Sequence, residues 1–269
     1  MAQVKSVTSR DNPLLVRLRK LLADPTGYRR AGEVWIEGEH LCSAFAQRGG
    51  AALQAVISES AWQVAALRAL ANKATSVTIV PDKLMAGLSA LDSPPPLGFA
   101  IAWAGNDVSN ATHAIDAIDA TAPSVVLDRL QDAGNVGAVM RSASAFGFTQ
   151  VLALKGTAAL WSAKVLRAGM GAHFGLRLVE GLDVQALQAL QVPLFATSSH
   201  AAQALHEVVL PWPCGWVMGH EGQGVSSALE GCCEMALRIP QPGGEESLNV
   251  AAAAAVCFYE SARQRAVQR

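Results

Sequence analysis

The chain has 269 residues, of which 51% are hydrophobic and 16% charged, and its formal net charge is −1. Such a composition supports a sizeable core and leads us to expect two domains. It excludes a polybasic or polyacidic protein, and no apolar run approaches the roughly 20 residues of a membrane helix. Residues 1–10 are polar and lack a signal-peptide core, so a cytoplasmic location is expected. The five cysteines, Cys42, Cys214, Cys232, Cys233 and Cys257, are odd in number and show no C-x-x-C spacing. They read as reduced thiols, and no metal site is expected.

In chain order, residues 7–22 read as a helix reached through Asp11-Asn12-Pro13, a cap followed by a first-turn proline. Strands are expected at 34–36, 53–57, 77–80 and 98–103, with helices over 38–45 and 61–71. Pro94-Pro95-Pro96 marks a stiff loop. Alternation of this kind predicts a compact α/β unit over residues 1–105. Its 11 Lys and Arg outnumber its 8 Asp and Glu, with Arg10, Arg17, Arg19, Lys20, Arg29 and Arg30 near the front. By itself that is as consistent with a solvated face as with a partner.

Residues 106–122 are polar and punctuated and read as a linker, in which 114–120 has the composition of a helical turn. A second α/β pattern occupies 123–269. Strands are expected at 125–127, 151–154, 176–179, 194–196, 216–218 and 235–239, with helices between most of them. Residues 128–135 read as a loop and 136–146 as a helix that Gly147 stops. From Leu248 the alanine-rich segment reads as a helix apolar all round, buried against its own core or a partner subunit. Ser247 and Asn249 stand at cap positions, and Glu245 and Glu246 suit the positive end of the helix dipole.

Open sheets bind ligands beyond the carboxyl ends of their strands, and the chemistry-bearing residues fall there. Asn135 and Arg141 flank the start of the 136–146 helix. An arginine among Ala138, Val139, Met140 and Ala143 needs a partner, either a bound anion or an ion pair with Asp128 or Asp132. Gly219-His220-Glu221-Gly222-Gln223-Gly224 lets backbone approach a ligand closely. Its G-x-x-G-x-G order is neither the dinucleotide fingerprint nor a Walker loop. Glu221 is then a helix-start carboxylate or an acceptor for a bound polar group. Lys164 and Arg167 lie three apart on an expected helix at 161–172, and either grip a phosphate backbone or face solvent. No G-x-S-x-G elbow supports a serine hydrolase.

Three segments together carry a resemblance. They are 132–147, with Asp132, Asn135, Arg141 and Gly147; the 219–224 loop; and 239–260, with Ile239-Pro240 and Ser247-Leu248-Asn249-Val250. They are similar to the three motifs of the SpoU (TrmH) family, S-adenosylmethionine-dependent RNA ribose 2′-O-methyltransferases of the SPOUT class. The front end, with Ser9 to Pro13, Arg29-Arg30 and Ile36-Glu37-Gly38, resembles that family's RNA-binding domain, itself like a ribosomal protein. The resemblance implies an α/β fold whose C-terminal segment is tied in a trefoil knot, a rare exception to unknotted topology. It also implies a homodimer.

By the same resemblance, Asn135, Arg141, Glu221, Ser247 and Asn249 match catalytic positions, and Thr197, Gly219, Ile239 and Leu248 would hold S-adenosylmethionine. Arg10, Arg29 and Arg30, joined on the ground of spacing by Lys164 and Arg167, would meet RNA, ribosomal rather than transfer. Ala133 stands where the family usually has proline, and Gly169 where it usually has serine. A guanidinium is a poor base, so Arg141 is expected to orient the 2′-hydroxyl and stabilise the developing alkoxide. Asn135 and Glu221 are expected to hold Arg141. The competing expectation is a non-catalytic RNA-binding or ribosome-assembly factor on the same fold.

Overall fold

A computed structural model of the chain describes residues 2–103, 116–244 and 247–267. Most of the expected linker and both Glu245 and Glu246 lie outside the described residues. The chain divides into two compact units, Met1–Gly105 with Trp161–Leu166, and Asn106–Leu160 with Arg167–Arg269.

The first unit contains β1 (Gln3–Ser6), α1 (Pro13–Ala23), α2 (Gly27–Ala31), β2 (Glu33–Glu37), α3 (Glu39–Gln47) and β3 (Gln54–Ser58). After them come α4 (Glu59–Trp62), α5 (Ala65–Ala71), β4 (Ser76–Val80), α6 (Asp82–Ala86) and β5 (Leu97–Ala102). The sheet order is β1-β4-β3-β5-β2, parallel across the first three strands and antiparallel on either side of β5. Leu15, Leu18, Trp35, Val56, Val80 and Leu88 pack into one buried cluster, the favourable term that non-directional burial supplies.

Two expectations for this unit are corrected. The first helix begins at Pro13, where Asn12 Oδ1 accepts the amide of Leu14 at 3.0 Å, because a capped proline start fixes the boundary more strongly than the apolar residues before it. Residues 3–6, where no element was expected, form an edge strand. The expected 61–71 helix is two helices, α4 and α5, separated at Gln63 and Val64.

The second unit contains β6 (Ser124–Leu127), α7 (Ala133–Ala145), β7 (Gln150–Leu154), β8 (Arg177–Leu182) and β9 (Leu194–Thr197), while α8 (Ala163–Gly169) is divided between the units at Leu166 and Arg167. It closes with β10 (Gly215–Met218), α9 (Ser227–Glu230), β11 (Met235–Leu237) and α10 (Val250–Val267). Its six strands run β11-β9-β10-β6-β7-β8, every pair parallel. Strands buried on both faces read as continuous apolar runs, as in Val125 to Leu127 and Trp216 to Met218, all buried. The links β8–β9 and β9–β10 contain only short 3₁₀ turns, not the expected helices. The described end of the expected linker is tied down: Gln150 accepts the Asp119 amide at 2.8 Å and donates back to the Asp119 carbonyl at 3.1 Å.

Helix α10 packs along α7, with Phe146 against Tyr259 (ring centroids 5.9 Å apart) and Phe148 against Phe258 (4.7 Å). Trp216 Nε1 donates to Ser261 at 3.0 Å, fastening α10 to β10. The helix is not buried all round, however. Ala254, Cys257 and Phe258 face the core, while Val256 is 41% and Tyr259 55% exposed. Among the described residues no helix is long and apolar enough to cross a membrane.

Candidate active site

At the carboxyl end of β6, residues 128–132 form a turn and Asp132 caps α7, accepting the Asn135 amide at 2.9 Å. Asn135 therefore lies in the first turn of α7, not in the loop expected for it, and the helix begins three residues earlier than its apolar pattern suggests. Beyond β10, the glycine loop doubles back on itself: His220 and Gly224 exchange backbone hydrogen bonds of 3.0 and 2.8 Å. The close approach explains Gly219, where a Cβ would lie 2.3 Å from the Gly224 carbonyl carbon. Gly224 completes the turn at φ 71°, a left-handed conformation that glycine adopts without steric cost.

The turn presents Glu221 to the start of α7. Its carboxylate accepts the amides of Gln131 (3.3 Å) and Asp132 (3.1 Å) and the side-chain N–H of Asn135 (3.2 Å). Partial burial opposes the charge, but these donors outweigh it and hold the Glu221 carboxyl below its ordinary range. Asn135 in turn accepts from Asn249 Nδ2 at 3.0 Å, and Asn249 Oδ1 caps α10 by accepting the amides of Ala251 (2.9 Å) and Ala252 (3.3 Å). This chain of groups is polarised from both ends. An ionised carboxylate only accepts and helix amides only donate, so each asparagine has a single workable orientation.

These three segments border a cavity of about 830 Å³, within the range of small-molecule sites. Asn135, Glu221, Ser247 and Asn249 line it, and so do Thr197, Gly219, Ile239 and Leu248. The structure thus brings together eight of the nine residues assigned to catalysis and cofactor. Arg141 is the exception: it stands exposed on α7, outside that lining. Among the described residues its guanidinium has no hydrogen bond or ion pair, so the expected pair with Asp128 or Asp132 does not form. Asp128 takes Arg129 instead, and Asp132 caps the helix. Asn135 and Glu221 likewise hold each other, not Arg141.

Sequence reasoning missed Arg129 and Gln223. Arg129 Nε and Nη2 meet Asp128 at 2.9 and 3.3 Å, and its Nη1 donates to Gln223 at 3.1 Å. The available signal was an Asp-Arg pair directly after an apolar strand. Of the arginines expected to meet RNA, Arg10 is exposed, Arg29 lies 5.5 Å from the Tyr28 ring centroid, and Arg30 pairs with Asp24 at 2.6 Å. Lys164 and Arg167 share α8, the first exposed and the second half-buried. Among the described residues no group of three or more His, Cys, Asp or Glu could hold a metal ion.

Residues 122–259 match the model of the SpoU rRNA Methylase family. A 23S rRNA (guanosine-2′-O-)-methyltransferase, RlmB, from Bordetella pertussis is 36% identical over 155 residues, which are 56% of this chain and 63% of that relative. The chain thus spans less than two thirds of the length of this relative. An uncharacterized tRNA/rRNA methyltransferase of Synechocystis, slr1673, is 30% identical over 282 residues, covering 98% of this chain and 96% of the relative. The AdoMet-bound rRNA methyltransferase from Sinorhizobium meliloti superposes with a TM-score of 0.81 at 25% identity, over 97% of this chain and 98% of that one.

Proposed function

Because the chain belongs to the SpoU rRNA Methylase family, we propose that it is an S-adenosylmethionine-dependent methyltransferase acting on a ribose 2′-hydroxyl of RNA, ribosomal RNA before transfer RNA. The observation that carries this reading is the Glu221–Asn135–Asn249 chain, which joins three strand-end segments at one cavity. The relatives' printed activities, 23S rRNA 2′-O-methylation and tRNA/rRNA methylation, support the substrate and a cytoplasmic location with it.

The cavity suits the methyl donor. Its wall combines apolar Leu237, Ile239 and Leu248 with the hydroxyls of Thr197 and Ser247 and the carboxylate of Glu230. Such a mixture accepts a nucleoside with a cationic tail. Thr197, Gly219, Ile239 and Leu248 are the residues proposed to hold it. When bound, S-adenosylmethionine supplies an electrophilic methyl group on a sulfonium. The chain's own work is positioning and electrostatics. Asn135 and Asn249, fixed by Glu221 and by the start of α10, orient the reacting ribose together with Ser247. Arg141 grips the adjacent phosphate and stabilises charge on the 2′-oxygen, whose proton leaves to solvent.

The same reading assigns residues 1–105 to RNA binding through Arg10, Arg29 and Arg30, joined by Lys164 and Arg167. Residues 106–122 serve as linker and 123–269 as the SPOUT methyltransferase domain. A trefoil knot is proposed from the family; what fits it is that β11 lies at the sheet edge while Asn249, soon after, bonds Asn135 beyond β6. A homodimer is supported by the exposed Val256 and Tyr259 on α10.

Incubation of the purified chain with methyl-labelled S-adenosylmethionine and total RNA tests the proposal. Label in ribose 2′-O-methyl nucleotides is expected. Retention of RNA without label would favour the non-catalytic RNA-binding or ribosome-assembly factor.

A further inference from the structure

The glycine loop is fastened at two points that the methyl-transfer reading does not use. Asp128 is 1% exposed and accepts the amide of Ser226 at 2.8 Å, just past the loop's last glycine. Burial works against its charge, but the Arg129 guanidinium and the Ser226 amide outweigh it and hold the carboxyl below the usual range. Arg129 spans from that carboxylate to the side chain of Gln223, inside the loop. Consecutive residues of a strand point to opposite faces, so Asp128 and Arg129 would ordinarily diverge. They meet because Arg129 adopts φ 58°, a left-handed conformation uncommon for a side-chain-bearing residue. Its stem runs over Gly156, where a Cβ would stand 3.3 Å from Arg129 Cγ. Backbone strain of this kind persists where surrounding contacts over-determine it and clusters at functional sites.

We propose that Arg129 is a positioning residue: locked to Asp128 by its left-handed turn, it holds Gln223 and thereby sets the shape of the glycine loop that walls the cofactor cavity. The inference rests on the assignment of that cavity to S-adenosylmethionine. Arg129 acts through the loop, so its loss opens the wall without unfolding the sheet beneath it.

The test uses the full chain and S-adenosylhomocysteine, titrated by calorimetry, with thermal unfolding followed in parallel. Arg129→Gly removes the guanidinium but also relieves the φ strain. It leaves the buried Asp128 carboxylate without its ion pair, so its unfolding temperature should fall, while binding measured well below that temperature weakens about three- to tenfold, roughly what one net hydrogen bond contributes. Arg129→Lys, which keeps the charge but not the fork, should fall between the two. Gln223→Ala should weaken binding similarly, and the double variant no further, since the two residues act as one device. With RNA present, KM for the cofactor should rise with kcat little changed. Wild-type affinity in Arg129→Gly, wild-type affinity in Gln223→Ala at an unchanged unfolding temperature, or simple additivity of the two would overturn the proposal. Failure of the wild type itself to bind S-adenosylhomocysteine would remove the cofactor assignment and this inference together, a result distinct from equal binding by wild type and variants.

Discussion

The side-chain amide of Asn249 donates to Oδ1 of Asn135 at 3.0 Å, joining two residues 114 positions apart in sequence, while its own oxygen caps α10. One side chain therefore serves both the fold and the site, and two substitutions separate those duties. Asn249→Ala loses the cap and should cost about 1 kcal/mol of stability, together with most of the methyl transfer. Asn249→Asp keeps an acceptor for Ala251 and Ala252 and adds a charge suited to a helix start, but it cannot donate to Asn135. Its unfolding midpoint should match the wild type while transfer stays impaired. Recovery of activity in Asn249→Asp would show that only the cap matters.

Glu221 gives the site a pH signature. Its carboxyl is held below its ordinary 4.5 by the Asn135, Asp132 and Gln131 donors, against the opposing effect of burial. A depressed carboxyl favours the fold above its unfolded-state value, and the benefit fades as pH falls through the lowered one. Glu221→Gln should therefore be less stable than wild type at neutral pH, and the gap should close as pH falls from the ordinary 4.5 through the lowered value. Urea midpoints across that range measure it. A gap that persists in acid would mean that shape, not charge, holds the loop.

Much of this was legible in the sequence, for identifiable reasons. The buried strands of the second unit announce themselves because parallel strands covered on both faces are apolar throughout, and Gly147 stops α7 with φ 86° as its position implied. Strand β1 was not legible: all four of its residues are exposed, and it forms only through pairing with β4, some 70 positions away. The start of α7 was misread because Gly134 and Asn135 carry turn chemistry, whereas the Asp132 cap decides the boundary. At the site, each motif could be seen separately. Contacts such as Glu221 to Asn135 and Arg129 to Gln223 exist only once the sheet order sets β10 beside β6.

Gly169 departs from the serine expected there, and the structure supplies a reason. A Cβ at this position would lie 2.7 Å from Cε1 of His173, a buried ring bonded through Nε2 to the Leu160 carbonyl at 2.8 Å. The ring has little room to yield. Gly169→Ala should therefore destabilise the protein by about 1–3 kcal/mol, the usual cost of overpacking, despite alanine's better helix propensity. Urea denaturation measures the change. A neutral or stabilised variant would mean that His173 can repack.

Arg141 differs from the other residues assigned to catalysis and cofactor in standing outside the cavity lining, and among the described residues it has no hydrogen bond or ion pair. A side chain with no structural partner should be removable at little cost to stability, within about 0.5 kcal/mol. If its guanidinium stabilises charge on the 2′-oxygen, Arg141→Ala should lower methyl transfer by about 100-fold or more, with S-adenosylhomocysteine affinity and unfolding temperature unchanged. Arg141→Lys, which retains a cation but not the planar fork, should recover only part of the rate. Calorimetry alongside label transfer distinguishes the cases. Loss of cofactor binding together with activity would make Arg141 a structural residue, and full activity in the alanine variant would remove it from the mechanism.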